Sequence, residues 1–116
     1  MEKDKLTKAA IIENLHEEFL DPDDKRFKGL EMNKLSRGQI HEVIDCFFEE
    51  VKAGLIDDQI IELRGFGTFE IRTRKGREKA RNPKTGHMVS VQTHGVAVFR
   101  PGKEIKEKVW DIRQGK

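Results

Sequence analysis

Arg72, Arg74, Lys75, Arg77, Lys79, Arg81 and Lys84 crowd one segment, RTRKGREKARNPKTGHM, in which Glu78 is the sole acid. Cations strung along an extended chain displace the counterions condensed on a phosphate backbone, and that release drives binding to nucleic acid. Within the segment, RNPKTG at 81–86 has the makings of a turn. Pro83 has a fixed φ and no N–H, and Gly86 can supply a positive φ. A plain reversal of the chain satisfies those residues. The same proline ring, presented at the end of a basic ribbon, is also a wedge that can enter the minor groove between base pairs and kink the duplex. Arg81 and Asn82 beside it can meet the acceptor-rich floor of that groove. The residues alone leave both readings open.

Other chemistry finds no constellation. His16, His41, His87 and His94 have no paired spacing, and one cysteine, Cys46, makes neither a thiol cluster nor an internal disulfide. No metal and no cofactor is expected. GFG at 65–67 is a strand corner, since no helix follows it as a phosphate loop requires. The carboxylates fall at solvating spacings, with no nucleophile beside a base, so no catalytic residue and no enzyme is expected.

The elements that must position the basic segment are legible from periodicity. Leu6 to Phe19 reads as a helix, with Ile11, Leu15 and Phe19 on one face and Thr7 as a candidate N-cap. Pro22 and Gly29 break the pattern, and about 20–34 reads as a long loop with at most one short turn of helix. Ser36 and Gln39 have the spacing of a capping box. Ile40, Val43, Ile44, Phe47, Phe48, Val51 and Leu55 follow at three- and four-residue intervals, with Cys46 as a small residue beside the stripe. From Asp58 the period becomes two. Ile61 and Leu63 mark one strand and Phe69 and Ile71 a second. Val89 and Val91 begin a third that Val96, Val98 and Phe99 continue, with a bulge or switch of face at Gly95. Pro101 and Gly102 then open a short helix bearing Ile105, Val109 and Ile112.

After Ile71 the apolar alternation stops. A hairpin without an apolar face cannot pack on a core, so it must project; from Ile71 to Pro83 an extended chain reaches about 40 Å. Such a ribbon is marginal alone in water and is expected to be mobile until it meets a partner.

The 116 residues suit one domain, yet 38% are charged and 35% hydrophobic, a thin apolar supply that a second subunit would supplement. The net charge of +2 conceals a segregation: residues 1–63 are strongly acidic and 64–103 strongly basic. A basic block of that kind points to a polyanion. The N-terminus lacks a signal-peptide pattern and no run could span a membrane, so the expectation is a soluble, cytoplasmic protein without a membrane partner.

GFGTF at 65–69, Arg77, ARNPKTG at 80–86 and FRPGKEIK at 99–106, in helix–helix–strand order, resemble the HU/IHF family of bacterial histone-like DNA-bending proteins. The resemblance covers roughly 5–112 and is weakest around 20–34. It implies an α+β fold over 1–116: an N-terminal helix pair, a three-stranded antiparallel sheet with a long protruding β-ribbon arm at 72–88, and a short C-terminal helix, in an intertwined dimer. It implies that the partner is double-stranded DNA, embraced by two arms, bent by intercalation of Pro83 and bound through the minor groove, with low or shape-based specificity. Arg72, Arg74, Lys75, Arg77, Lys79, Arg81, Asn82 and Lys84 would line the groove and flanking phosphates. Lys103 would meet backbone phosphate, and Lys3, Lys5 and Lys8 are weaker candidates of that kind. Phe47, Phe66, Phe69 and Phe99 would build the shared dimer core. The expected setting is the nucleoid, where the protein organises or compacts the chromosome and assists DNA transactions.

The resemblance leaves a homodimer and a heterodimer with a paralogue open. RNA is the alternative polyanion, but the wide, shallow minor groove of an A-form duplex offers the tip less grip. A third reading has the basic arm bind an acidic protein surface. Two departures stand out: 20–34 looks like an insertion between the first two helices, expected to have a structural role, and the acidic first half would repel DNA wrapped along it.

Overall fold

The structure, a computed structural model, describes residues 3–113. The chain divides into two compact units, residues 1–50 and 51–116.

In the first unit, α1 (Lys8–Leu20) starts where the sequence signals it: the Thr7 hydroxyl accepts a hydrogen bond from the Ala10 N–H at 3.1 Å. Helix α2 (Arg37–Ile56) starts in a reciprocal capping box. The Gln39 N–H donates to Ser36 Oγ at 3.1 Å and the Ser36 N–H to Gln39 Oε1 at 2.9 Å. Each bond satisfies a donor that the helix geometry would otherwise orphan. Ile12 and Ile40 are the buried hydrophobic residues of this half.

The segment between the helices holds two 3₁₀ turns, Lys25–Phe27 and Met32–Lys34, where the sequence suggests at most one short turn. The first turn is ordered by a polar cap, to which apolar periodicity is blind, and the second has no side-chain cap. The Asp24 carboxylate caps the first turn by accepting from the Arg26 N–H at 3.1 Å. The Arg26 guanidinium reaches both Asp24 and Glu18, at 2.6 and 2.8 Å, and holds the Asp24 carboxyl below its ordinary range. Phe27 packs edge-on against Phe19 with ring centroids 5.0 Å apart.

In the second unit, β1 (Ile61–Leu63), β2 (Gly67–Arg74) and β5 (His94–Pro101) form an antiparallel sheet in the order β1–β2–β5. A separate two-stranded ribbon pairs β3 (Arg77–Arg81) with β4 (Met88–Val91). Helix α3 (Lys103–Val109) follows, with Gly102 as its N-cap. The GFG corner admits no side chain at Gly67: a Cβ there would lie 2.5 Å from the Arg100 carbonyl oxygen and from the Phe99 ring. The Gly102 N–H donates to the Phe66 carbonyl at 2.8 Å, tying the start of α3 to that corner.

The single expected strand through Val89, Val91, Val96, Val98 and Phe99 is two strands. Val89 and Val91 belong to the ribbon, and the chain leaves strand geometry at Gln92–Thr93. The irregularity expected at Gly95 lies elsewhere, since Gly95 pairs in regular register with Thr73. It falls in the ribbon, where pairing shifts between Arg77↔Val91 and Ala80↔Val89. Gly95 is small for another reason: a Cβ there would press on Ile71 Cγ2 at 2.9 Å.

Candidate nucleic-acid interface

The ribbon is built around its turn. The Asn82 N–H donates to the His87 carbonyl and the Gly86 N–H to the Asn82 carbonyl, both at 2.7 Å. The Asn82 side chain accepts from the Lys84 N–H at 2.9 Å, the local bond that makes asparagine a turn former. Gly86 has φ +75°, where a side chain would be strained. Pro83 sits between these bonded residues with its ring exposed. The proline therefore contributes nothing to the hydrogen bonding of the turn, and its apolar face is open to solvent.

Behind the tip, Lys79, Arg81 and Lys84 are exposed, as are Lys75 and Arg77. Among the described residues no carboxylate lies within ion-pairing distance of Arg74, Lys75, Arg77, Lys79, Arg81 or Lys84. A row of exposed cations without counter-charges is a strong local source of positive potential.

The segment 72–88 takes in the end of β2, beyond the residues that β1 pairs, and the β3–β4 ribbon. Arg72 and Arg74 lie in β2, opposite Val96 and His94 of β5. The pairing of β2 with β5 continues through Arg74, and the β3–β4 pairing takes over at Arg77. At the joint, the Gly76 N–H donates to the Thr93 hydroxyl at 3.0 Å, and a Cβ on Gly76 would collide with the Val91 carbonyl. Glycine is required there by close passage of the returning chain.

Thr68, Glu70, Arg72 and Arg74 occupy one face of β2, because side chains alternate along a strand. The opposite face carries Phe69, Ile71 and Thr73. Phe69, Phe66 and Phe99 form a ring cluster there, with centroids 4.8–6.3 Å apart. Three of the four phenylalanines expected in a shared core thus meet within one unit. Phe47 lies on α2 in the other unit, its ring 5.7 Å from that of Phe48. Phe47, Phe66 and Phe99 are each more than one third exposed, at 45%, 47% and 39%.

Lys103 is the exposed first residue of α3. Lys3 and Lys5 are exposed ahead of α1, whereas Lys8 is engaged: its Nζ donates to Asp45 at 2.6 Å and holds the Asp45 carboxyl below its usual range. Arg100 escaped the sequence reading. It pairs with Glu70 at 2.7 Å on the face of the sheet that carries Thr68, and only the β2–β5 register brings the two residues together. Cys46 is exposed in the single chain. Among the described residues no three metal-ligating side chains converge, and no helix is long and apolar enough to cross a membrane.

Residues 6–110 match the model of the family described as Bacterial DNA-binding protein. Integration host factor subunit alpha of Marinobacter nauticus is 35% identical over 104 residues, covering 90% of this chain and 89% of that protein. The same subunit of a Marinomonas species is 36% identical over 109 residues, covering 94% and 96%. The HU protein in an Anabaena HU–DNA cocrystal structure superposes with a TM-score of 0.68 at 27% identity, over 89% of this chain and 96% of that one. With a family match across nearly the whole chain, and a paired ribbon carrying the RNPKTG tip, this chain belongs to the HU/IHF family of bacterial DNA-binding architectural proteins.

Proposed function

We propose that this protein bends duplex DNA as an intertwined dimer whose two ribbons enter the minor groove, with Pro83 as the intercalating wedge at each tip. The observation that carries the reading is the exposed Pro83 ring, outside the hydrogen bonding of its own turn, at the end of a ribbon whose cations lack carboxylate partners. Unstacking one base step costs a few kcal/mol, which the additional phosphate contacts of a bent duplex offset. Arg72, Arg74, Lys75, Arg77, Lys79, Arg81, Asn82, Lys84 and Lys103 are the DNA-contacting set. Specificity follows the deformability of the site, since the cations read phosphate and the proline reads ease of unstacking. The chain acts as one domain, with 20–34 as a structural insertion, and its setting is the cytoplasmic nucleoid.

The test is end-to-end energy transfer on a labelled duplex of about two to three helical turns, read beside an RNA duplex of matching sequence. Shortening of the DNA alone is expected. Pro83→Ala should bind with much of its salt-dependent affinity retained, because the cations remain, but with a smaller bend. A Pro83→Ala protein that bends DNA as strongly as the parent would refute the wedge.

A further inference from the structure

On the face of the sheet that carries Thr68, three arginines stand around one acid, with Val96 and Val98 of β5 beside them. Arg100 stands opposite Thr68 in the β2–β5 register, which makes it the diagonal neighbour of Glu70; Arg72 is the next residue on the same face of β2, and Arg74 the one after. Arg100 Nε lies 2.7 Å from Glu70 Oε2, and Arg72 Nη2 lies 3.5 Å from the same oxygen. The Glu70 side chain is 17% exposed and the two arginines 57% and 56%, so the carboxylate sits beneath two guanidinium groups that face solvent. From Glu70 to Arg74 the strand advances about 13 Å, and the ribbon cations begin beyond it. Glu70 and Glu78 are the only acids in residues 64–103.

Resting on the proposed DNA-bending function, we infer that Glu70 is an internal counter-anion, and that Arg100 is a phosphate-binding residue which it holds in place until DNA arrives. Arg72 and Arg100 share one carboxylate, so together they present about one net positive charge. A DNA phosphate approaching them competes with Glu70 for the same donors, and charge-assisted pairs of arginine with carboxylate and with phosphate have similar geometry. Glu70 therefore weakens binding wherever a phosphate must reach this face. Only a duplex bent onto the sheet face by the ribbons delivers phosphate close enough to displace it. The cost of displacing it falls on bent complexes, so the acid narrows the advantage of deformable DNA over stiff DNA without touching a base.

Glu70→Gln keeps the shape and removes the charge. On a duplex of about three helical turns, its half-saturating concentration should fall about three- to tenfold near physiological salt. The slope of log affinity against log salt should steepen by about 0.9, the increment for one more phosphate neutralised. The relative advantage of an easily kinked duplex over a stiff A-tract duplex should grow, because only the bent duplex brings phosphate to the freed arginines. Arg100→Gln should weaken binding and flatten the slope by about the same increment. In an Arg100→Gln background the gain from Glu70→Gln should be much reduced, because its main beneficiary is gone. A Glu70→Gln protein with unchanged affinity and slope would overturn the inference. So would a gain that persists in full without Arg100, since Glu70 would then act by simple repulsion of DNA. If the parent protein failed to bind duplex DNA at all, the functional reading would fall first; binding by the parent with no effect of either variant sinks only the role of Glu70.

Discussion

At Ser36 and Gln39 a pair of side chains decides where a twenty-residue helix begins, by exchanging hydrogen bonds with each other's backbone N–H groups. Both donors are local, so the pairing could be read from spacing alone. Replacing Ser36 by alanine leaves a donor unsatisfied at the start of α2 and should cost about 1 kcal/mol, measurable as a lowered urea midpoint with an unchanged slope. The tip of the ribbon was legible for the same reason: Asn82, Pro83 and Gly86 lie within a stretch of five residues, and their turn chemistry is local. Arg100 was not legible. Its partner Glu70 is thirty residues distant in the chain and becomes a neighbour only when β2 and β5 pair.

The ribbon is useful as an element only if it leaves the sheet in a defined direction. Its joint is made by Gly76, whose N–H is held by the Thr93 hydroxyl and whose missing side chain lets the returning strand pass at Val91. Gly76→Val is expected to splay β3 from β4 at the joint and re-aim the tip. The bend of a labelled duplex should fall sharply while the variant retains cooperative melting, since the collision is confined to the joint. A Gly76→Val protein that bent DNA normally would show that the joint carries no aim. The segment expected as the arm, 72–88, opens in the last residues of β2, which pair with β5, and continues into the β3–β4 ribbon. Arginine and threonine alternate as regularly as valine does, so loss of apolar residues marks the end of burial, and the end of pairing comes later. On the return strand, valines on both sides of Gln92–Thr93 read as one strand although the chain changes partner there.

At the scale of the whole molecule, the dominant fact is unburied apolar surface. Among the described residues Ile12 and Ile40 are the buried hydrophobic ones, while Val43, Phe47, Phe48, Ile56, Phe66 and Phe99 are each at least 39% exposed. A chain that buries so little has little hydrophobic stabilisation to set against its conformational entropy. A second chain covering these rings would supply the missing burial and join folding to association. The expected signature is a melting temperature that rises with protein concentration, because mass action then contributes to stability. Phe47→Glu should leave a chain that sediments as a monomer and lacks a cooperative melt. Melting independent of concentration across a hundredfold range would instead mean that one chain folds alone.

The sequence by itself determined the features that depend on near neighbours: both helix starts, the GFG corner, the ribbon turn with its exposed proline, and the segregation of basic residues into 64–103. Each follows from side chains within a few positions of the backbone groups they serve. Tertiary structure alone decided which cations belong to the sheet and which to the ribbon, where the returning chain breaks, and that one glutamate stands among the arginines of the sheet face. Those depend on strand register, which pairs residues about thirty positions apart, and register is set by packing and pairing across the sheet rather than by any local pattern.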